Sequence, residues 1–228
     1  LLVTACNPFT ESSEEWIYAQ TAVPPPEQRN GLPLIVATGD SIAVGWQDCR
    51  ERVCQGVEYD WWQTAFAGQA LVLARGIGSS TTQDLLERWE QDTQGAELVI
   101  ILTGVNDIAR EMTASTILTN LESMHQRAAQ AGIIPIFCTI MPADSSDSPS
   151  KLAQVEAVNA ELRRKAEEEG WWVIDLHAAM ADPATGYLRR SQVAHPGSAH
   201  PNQAGYDQMA EVVRAWWLAN RDQVWPGG

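Results

Sequence analysis

The sequence predicts a three-layer α/β/α sandwich, and three observations carry that prediction. Short apolar runs recur along the chain, helical patterns separate them, and glycines mark the switches between the two. About five strands are expected, at Leu32–Thr38, Ala70–Ile77, Glu97–Thr103, Ile133–Ile140 and Trp171–Leu176. Most of these runs are continuously apolar rather than alternating, which suits strands covered on both faces, as in a parallel sheet. Pro33 falls at the very start of the first run, where a missing N–H is tolerated.

Helices are expected at Gln83–Gln94, Ala114–Ala131, Leu152–Glu169 and Gln203–Asn220. Leu85, Leu86 and Trp89 fall at helical spacing in the first. Ser115 and Thr116 near the start of the second, and Gly132 just past its end, are cap signals. The third stops at Gly170, and the fourth carries Met209, Val212, Val213, Trp216 and Trp217 as an apolar stripe. Right-handed crossovers between parallel strands place helices on both faces of the sheet. Sites in such sheets form beyond the carboxyl ends of the strands, so the residues that follow each strand carry the functional reading.

The chain has 228 residues, the length of one domain with a short appendage, and its 45% apolar content supports a globular fold rather than disorder. With 15 basic against 29 acidic side chains the formal charge is −14, which argues against nucleic acid or an anionic membrane as the main partner. No apolar run reaches the ~18–20 residues of a membrane span. The first residues, Leu1-Leu2-Val3-Thr4-Ala5-Cys6, resemble a bacterial lipoprotein cleavage box with Cys6 as the lipidated residue; the alternative is an apolar end by chance. On the first reading the protein is exported, as a periplasmic or cell-surface lipoprotein tethered to a membrane through Cys6. Residues 1–30, which include Pro24-Pro25-Pro26, are expected to be that stub and a flexible tether, and residues 31–228 the domain proper.

Cys49 and Cys54 bracket a short loop and could pair in an oxidising compartment. Metal binding there is disfavoured, because no second Cys/His pair sits at ligand spacing. Cys138, inside an apolar run, reads as a buried small hydrophobe.

Four segments carry chemistry. After the first strand comes Gly39-Asp40-Ser41, where Ser41 can present a hydroxyl at a tight turn or simply cap a helix. After the second comes Gly76-Ile77-Gly78-Ser79, a turn whose glycines admit close approach to a ligand. After the third comes Gly104-Val105-Asn106-Asp107, where the Asn106 amide can donate to an oxyanion or stabilise an ordinary turn. Near the C-terminus comes His200-Pro201-Asn202-Gln203-Ala204-Gly205-Tyr206, with a His held just before a helix and able to act as general base. His195, also followed by Pro, is the rival base. His125 and His177 have structural readings.

Taken together and in this order, these blocks resemble the SGNH or GDSL-type serine hydrolase superfamily. The resemblance spans about Gly31 to Trp217. It implies a flavodoxin-like sheet of order 2-1-3-4-5 and an esterase that uses no metal and no cofactor. Carried over by position, Ser41 is the nucleophile and His200 the base, and the oxyanion hole is formed by the Ser41 and Ser79 backbone N–H groups with the Asn106 amide. The family block favours His200 over His195. Asp40, Gly78 and Trp46 are further candidates for substrate contact.

Two departures from the family pattern stand out. The family usually carries Asp three residues before its His, and that position here is Gly197. A backbone carbonyl could orient the imidazole, giving a Ser–His dyad. A carboxylate from elsewhere, such as Asp182, could replace the missing Asp, or turnover could be weak. The second departure is Ser79, where relatives often carry Gly; its N–H can still donate if the backbone there does not require positive φ.

The 10 Trp against 4 Tyr and 3 Phe bear on the substrate. Trp46, five residues past Ser41, and Trp61, Trp62 and Trp89 could wall a cleft for sugars or aryl groups, although core packing is the plainer reading. The resulting expectation is hydrolysis of short-acyl esters of carbohydrate or aryl alcohols. Lysophospholipase or thioesterase activity, or a binding protein that has lost turnover, are the alternatives. Oligomeric state is not legible.

Overall fold

The structure, a computed structural model, describes residues 23–45, 60–195 and 197–226. Cys6, Trp46, Cys49 and Cys54 lie outside the described residues, so the lipobox, the Trp46 wall and the disulfide concern other parts of the chain.

Five strands form one sheet of order β2-β1-β3-β4-β5, every neighbouring pair parallel. They are β1 Leu34–Gly39, β2 Leu71–Ala74, β3 Leu98–Leu102, β4 Ile134–Cys138 and β5 Trp172–Ile174. Each lies within an expected run, apart from Gly39 at the end of β1. The central register sets Val36 against Val99 and Ala37 against Ile100.

The apolar runs are continuous because both faces of the sheet are buried. One face, with Ile35, Ala37, Leu98, Ile100 and Leu102, packs on α1 (Trp61–Phe66) and on the last long helix, α8 (Gln203–Val224). The other, with Val99, Ile101 and Phe137, packs on α2 (Thr82–Glu87), α3 (Trp89–Asp92), α5 (Ala114–Ala131) and α6 (Pro149–Glu169). Two short helices, α4 (Val105–Ala109) and α7 (Leu176–Met180), follow β3 and β5 directly. None of the described helices is long and apolar enough to cross a membrane.

The helix ends follow local chemistry. Gly132 and Gly170 close α5 and α6 in the left-handed conformation. The N-cap of α5 is Thr113, whose side chain accepts from Thr116 N, rather than Ser115 or Thr116. The helix expected over Gln83–Gln94 is broken at Arg88, whose φ of −107° leaves the helical region and whose guanidinium turns inward. The expected tether is docked over its described part. Arg29 is 8% exposed, donates to Pro24 O at 2.8 Å, and pairs with Glu97 at 3.2 Å. The ion pair and the burial of Arg29 hold this stretch against the start of the sheet. Cys138 is buried, and burial pushes its thiol pKa well up.

Candidate active site

The candidate residues converge beyond the carboxyl ends of β1, β2 and β3, at the edge where the sheet order reverses. β1 ends at Gly39, which no other residue could replace. A Cβ there would lie 1.9 Å from the Leu102 carbonyl oxygen, and its φ is +154°. The close approach of β1 to β3 delivers Asp40 and Ser41 into a tight turn over residues 41–45, closed by Gly45 N donating to Ile42 O at 3.1 Å.

Ser41 Oγ lies 2.8 Å from His200 Nε2, although 159 positions separate them. His195, the rival base, does not make this contact. The main chain of His200 is fixed on both sides: its N–H donates to Ser198 Oγ at 3.0 Å, and its carbonyl accepts from Ala194 N at 3.0 Å. Asn202 completes the clamp. Its Oδ1 caps α8 through Gly205 N at 3.0 Å, while Nδ2 donates to the Ser191 and Val193 carbonyls at 2.9 and 3.0 Å. The His-Pro-Asn order is thus a device for presenting an imidazole at a helix start.

Gly197 has φ +82°, and a Cβ built there meets only Ser146 Oγ, at 3.8 Å. The space for a side chain exists, while the backbone conformation favours glycine. Asp182 caps its own turn, its Oδ1 accepting from Ala184 N at 2.8 Å, so it serves a local role.

The Gly-rich turn and the α4 start are laced together. Asn106 Nδ2 donates to Ser80 O at 3.0 Å, which leaves its second amide hydrogen for another acceptor. Ser79 has φ +64°, so the backbone here does require the left-handed region, against the expectation for a serine; the serine adopts it nonetheless, and its N–H takes the direction a glycine at this φ would give it. Arg110 holds the Ser79 carbonyl at 2.9 Å in that conformation. Gly78 and Ser79 form part of the wall of a cavity of about 420 Å³, shared with Asp84, Glu87, Arg88 and Arg110.

Two carboxylates lie beneath these turns. Asp40, a candidate for substrate contact, is only 1% exposed, and its Oδ1 accepts from Ile42 N at 2.9 Å. Its place is therefore under the nucleophile turn and not against a ligand. Burial pushes its carboxyl up to about 7 against the lowering effect of the Ile42 bond, and the Asp107 charge adds to the rise. Asp107 is also raised by burial, although it accepts from Thr82 N at 2.9 Å and Thr82 Oγ1 at 2.5 Å. Asn120 extends this network by donating to Thr82 Oγ1 at 2.8 Å.

The sequence reading missed Arg88, whose guanidinium donates to Gly39 O, Ser80 Oγ and Asp92 Oδ2, each at 2.9 Å. It thereby joins the end of β1 to the Gly-rich turn. It also missed Arg110. A charged residue in a helical pattern carries no local signal that it will turn inward.

A parallel α/β sandwich with a Ser–His pair at its switch point and amide donors on the neighbouring turns is the arrangement of a serine acyl hydrolase. Residues 37–208 match the model of the GDSL-like lipase/acylhydrolase family, and the chain belongs to that family. Membership implies hydrolase or esterase activity. The fold resembles that of a GDSL-like lipase from Bacteroides thetaiotaomicron, at 20% identity, a TM-score of 0.68, and coverage of 92% of this chain and 100% of that one. A lipase/acylhydrolase from Enterococcus faecalis matches at 24% identity and TM-score 0.67, over 83% of this chain and 97% of that one. A variant of an acetyl-xylooligosaccharide esterase from Geobacillus matches at 20% identity and TM-score 0.60, over 81% and 93%. No curated protein matches the sequence.

Proposed function

We propose that the protein is a serine esterase that hydrolyses short-acyl esters of hydroxyl-rich alcohols, carbohydrates foremost, through an acyl-enzyme on Ser41. The observation that carries this reading is the 2.8 Å contact between Ser41 Oγ and His200 Nε2. His200 Nε2 accepts the Ser41 proton as Oγ attacks the ester carbonyl carbon. The tetrahedral oxyanion receives hydrogen bonds from the Ser41 and Ser79 N–H groups and from the second amide hydrogen of Asn106. The carbonyl reforms, the C–O bond to the alcohol breaks, and His200 returns the proton to that alcohol. Water then attacks the acyl-enzyme by the same route, releasing the carboxylic acid and restoring Ser41.

With Gly197 at the position usually held by Asp, we propose that a backbone carbonyl orients the imidazole, so that Ser41 and His200 work as a dyad. The substrate preference is supported by the cavity beside the Gly-rich turn, which reaches the site through Gly78 and Ser79 and is not itself lined by Ser41, Asn106 or His200. Asp84, Glu87, Arg88 and Arg110 supply it with both donors and acceptors, which match hydroxyl groups better than an acyl chain. The likeness in fold to the acetyl-xylooligosaccharide esterase is in keeping with that preference.

The test is hydrolysis of p-nitrophenyl acetate and of acetylated xylo-oligosaccharides by the wild type and by Ser41→Ala, with fluorophosphonate labelling of Ser41. Ser41-dependent release of acetate from the oligosaccharide is expected. Absence of both Ser41-dependent turnover and labelling would sink the esterase reading. Faster cleavage of lysophospholipid than of the sugar ester would overturn the substrate class.

A further inference from the structure

Trp61 and Trp62 are 0% and 1% exposed, and their rings stack with centroids 3.7 Å apart and 28° between planes. Burial alone makes them core residues like the other buried tryptophans. Their indole N–H groups set them apart. Trp61 Nε1 donates to the Ile42 carbonyl at 3.2 Å, and Trp62 Nε1 donates to the Ala43 carbonyl at 2.6 Å. Ile42 and Ala43 are the two residues that follow Ser41. Both are buried, and a buried carbonyl needs a donor. Over residues 41–45 the chain is a turn rather than a helix, and among the described residues Gly45 N is the backbone donor to Ile42 O, at 3.1 Å. Trp61 also faces Tyr206, its ring centroid 6.1 Å away, and Tyr206 lies on the helix that begins just after His200. The pair therefore touches the nucleophile's turn on one side and the base's helix on the other.

We infer that Trp61 and Trp62 are positioning residues for catalysis. Their N–H groups clamp the Ser41 turn so that Oγ points at His200 and the Ser41 N–H points where the oxyanion forms. The catalytic part of this inference rests on the esterase reading; the clamp itself does not. A loss of alignment of about 1 Å in a catalytic group can cost on the order of 100-fold in rate. Such a loss acts on kcat, because substrate contacts outside the turn are unchanged.

Trp217 supplies the control. It is 2% exposed, packs edge-on against Phe66 at 5.3 Å, and its Nε1 has no hydrogen-bond partner among the described residues. Trp62→Phe and Trp217→Phe remove the same atoms from the same core, but only the first removes a bond to the turn. Trp61→Phe is the milder second variant, because Ile42 O retains Gly45 N as a donor. For Trp62→Phe we expect kcat on p-nitrophenyl acetate to fall about 10- to 100-fold at near-constant KM. We also expect faster amide hydrogen exchange over residues 39–45, with a smaller effect of the same kind in Trp61→Phe. Trp217→Phe is expected to lose stability and keep both kcat and the exchange pattern at 39–45. Equal kcat and equal exchange at 39–45 in Trp62→Phe and Trp217→Phe, or the same changes in both, would overturn the clamp. Exchange is read without turnover, so it decides the clamp even if the wild type cleaves no ester. That outcome would remove the esterase reading and the catalytic role, and leave the clamp to stand or fall on exchange.

Discussion

Arg110 donates from its guanidinium to the carbonyl of Ser79 at 2.9 Å, and Ser79 stands at φ +64°. An L-residue in the left-handed region carries a penalty of roughly 1–2 kcal/mol, which glycine avoids at some entropic cost. Ser79→Gly is therefore expected to raise stability by about 0.5–1 kcal/mol. Because the proposed donor is the backbone N–H, kcat/KM should stay within about two-fold, as expected for an interaction the side chain does not make. Urea unfolding and steady-state kinetics on p-nitrophenyl acetate check both. A large fall in kcat would show that the hydroxyl contributes a contact of its own.

Asn106 has a structural and a proposed catalytic hydrogen on the same amide nitrogen. One holds Ser80 O at 3.0 Å, and the other is the proposed donor to the oxyanion. Asn106→Ala is expected to lower kcat by about 100- to 1,000-fold, the usual cost of one oxyanion donor. Asn106→Asp, close in shape but acceptor-only when ionised, should be at least as damaging. Retained kcat in Asn106→Ala would remove the amide from the mechanism.

Gly197 tests the dyad. A side chain there has room, since a Cβ would meet only Ser146 Oγ, at 3.8 Å, but φ of +82° strains it. Gly197→Ala is expected to cost about 1–2 kcal/mol of stability. Gly197→Asp pays the same strain and adds a carboxylate three residues before His200. Its kcat should exceed that of Gly197→Ala if the native imidazole lacks an acidic orienter. Comparing the two variants separates orientation from strain; equal kcat values would speak against the dyad.

Asp40 makes stability depend on pH in a defined direction. Its folded pKa, about 7, lies above the ordinary 3.8 because of burial. The native state holds this proton more tightly than the unfolded chain does. The resulting stabilisation is complete below about pH 4 and is lost as pH rises through 7. Asp40→Asn keeps an oxygen to accept from Ile42 N and cannot ionise. Relative to wild type, it is expected to gain on the order of 2–4 kcal/mol between pH 4 and pH 8. Denaturant unfolding at the two pH values measures this difference. A residual slope from Asp107, raised in the same sense, should remain in the variant. A wild-type slope that Asp40→Asn leaves unchanged would assign the effect elsewhere.

Much of the fold was legible because it rests on local rules. The helix at Ala114–Ala131 could be read with both its ends, since Gly132 marks one and a cluster of hydroxyl residues the other, although the cap itself is Thr113 and not Ser115 or Thr116. The helix expected over Gln83–Gln94 could not. Arg88 breaks it to reach Gly39, Ser80 and Asp92, and two of those partners lie on other elements. The site divides in the same way. The GDS, GVND and HPN blocks nominated Ser41, Asn106 and His200, and the structure brings them to one edge of the sheet. Asp40 stands in a motif yet is buried beneath the turn, because the close β1–β3 contact at Gly39 turns that residue inward.

The sequence by itself determined the strand runs, the caps, the order of the blocks and the chemistry each could offer, because these depend on residue type and short-range spacing. The tertiary structure decided how closely the nominated His200 meets Ser41, that Ser79 sits at positive φ under the hold of Arg110, and that two tryptophans donate to the turn after Ser41. Those facts are contacts between residues 19 to 159 positions apart. Their geometry is set by how helices and strands pack, and no local pattern of amino acids carries it.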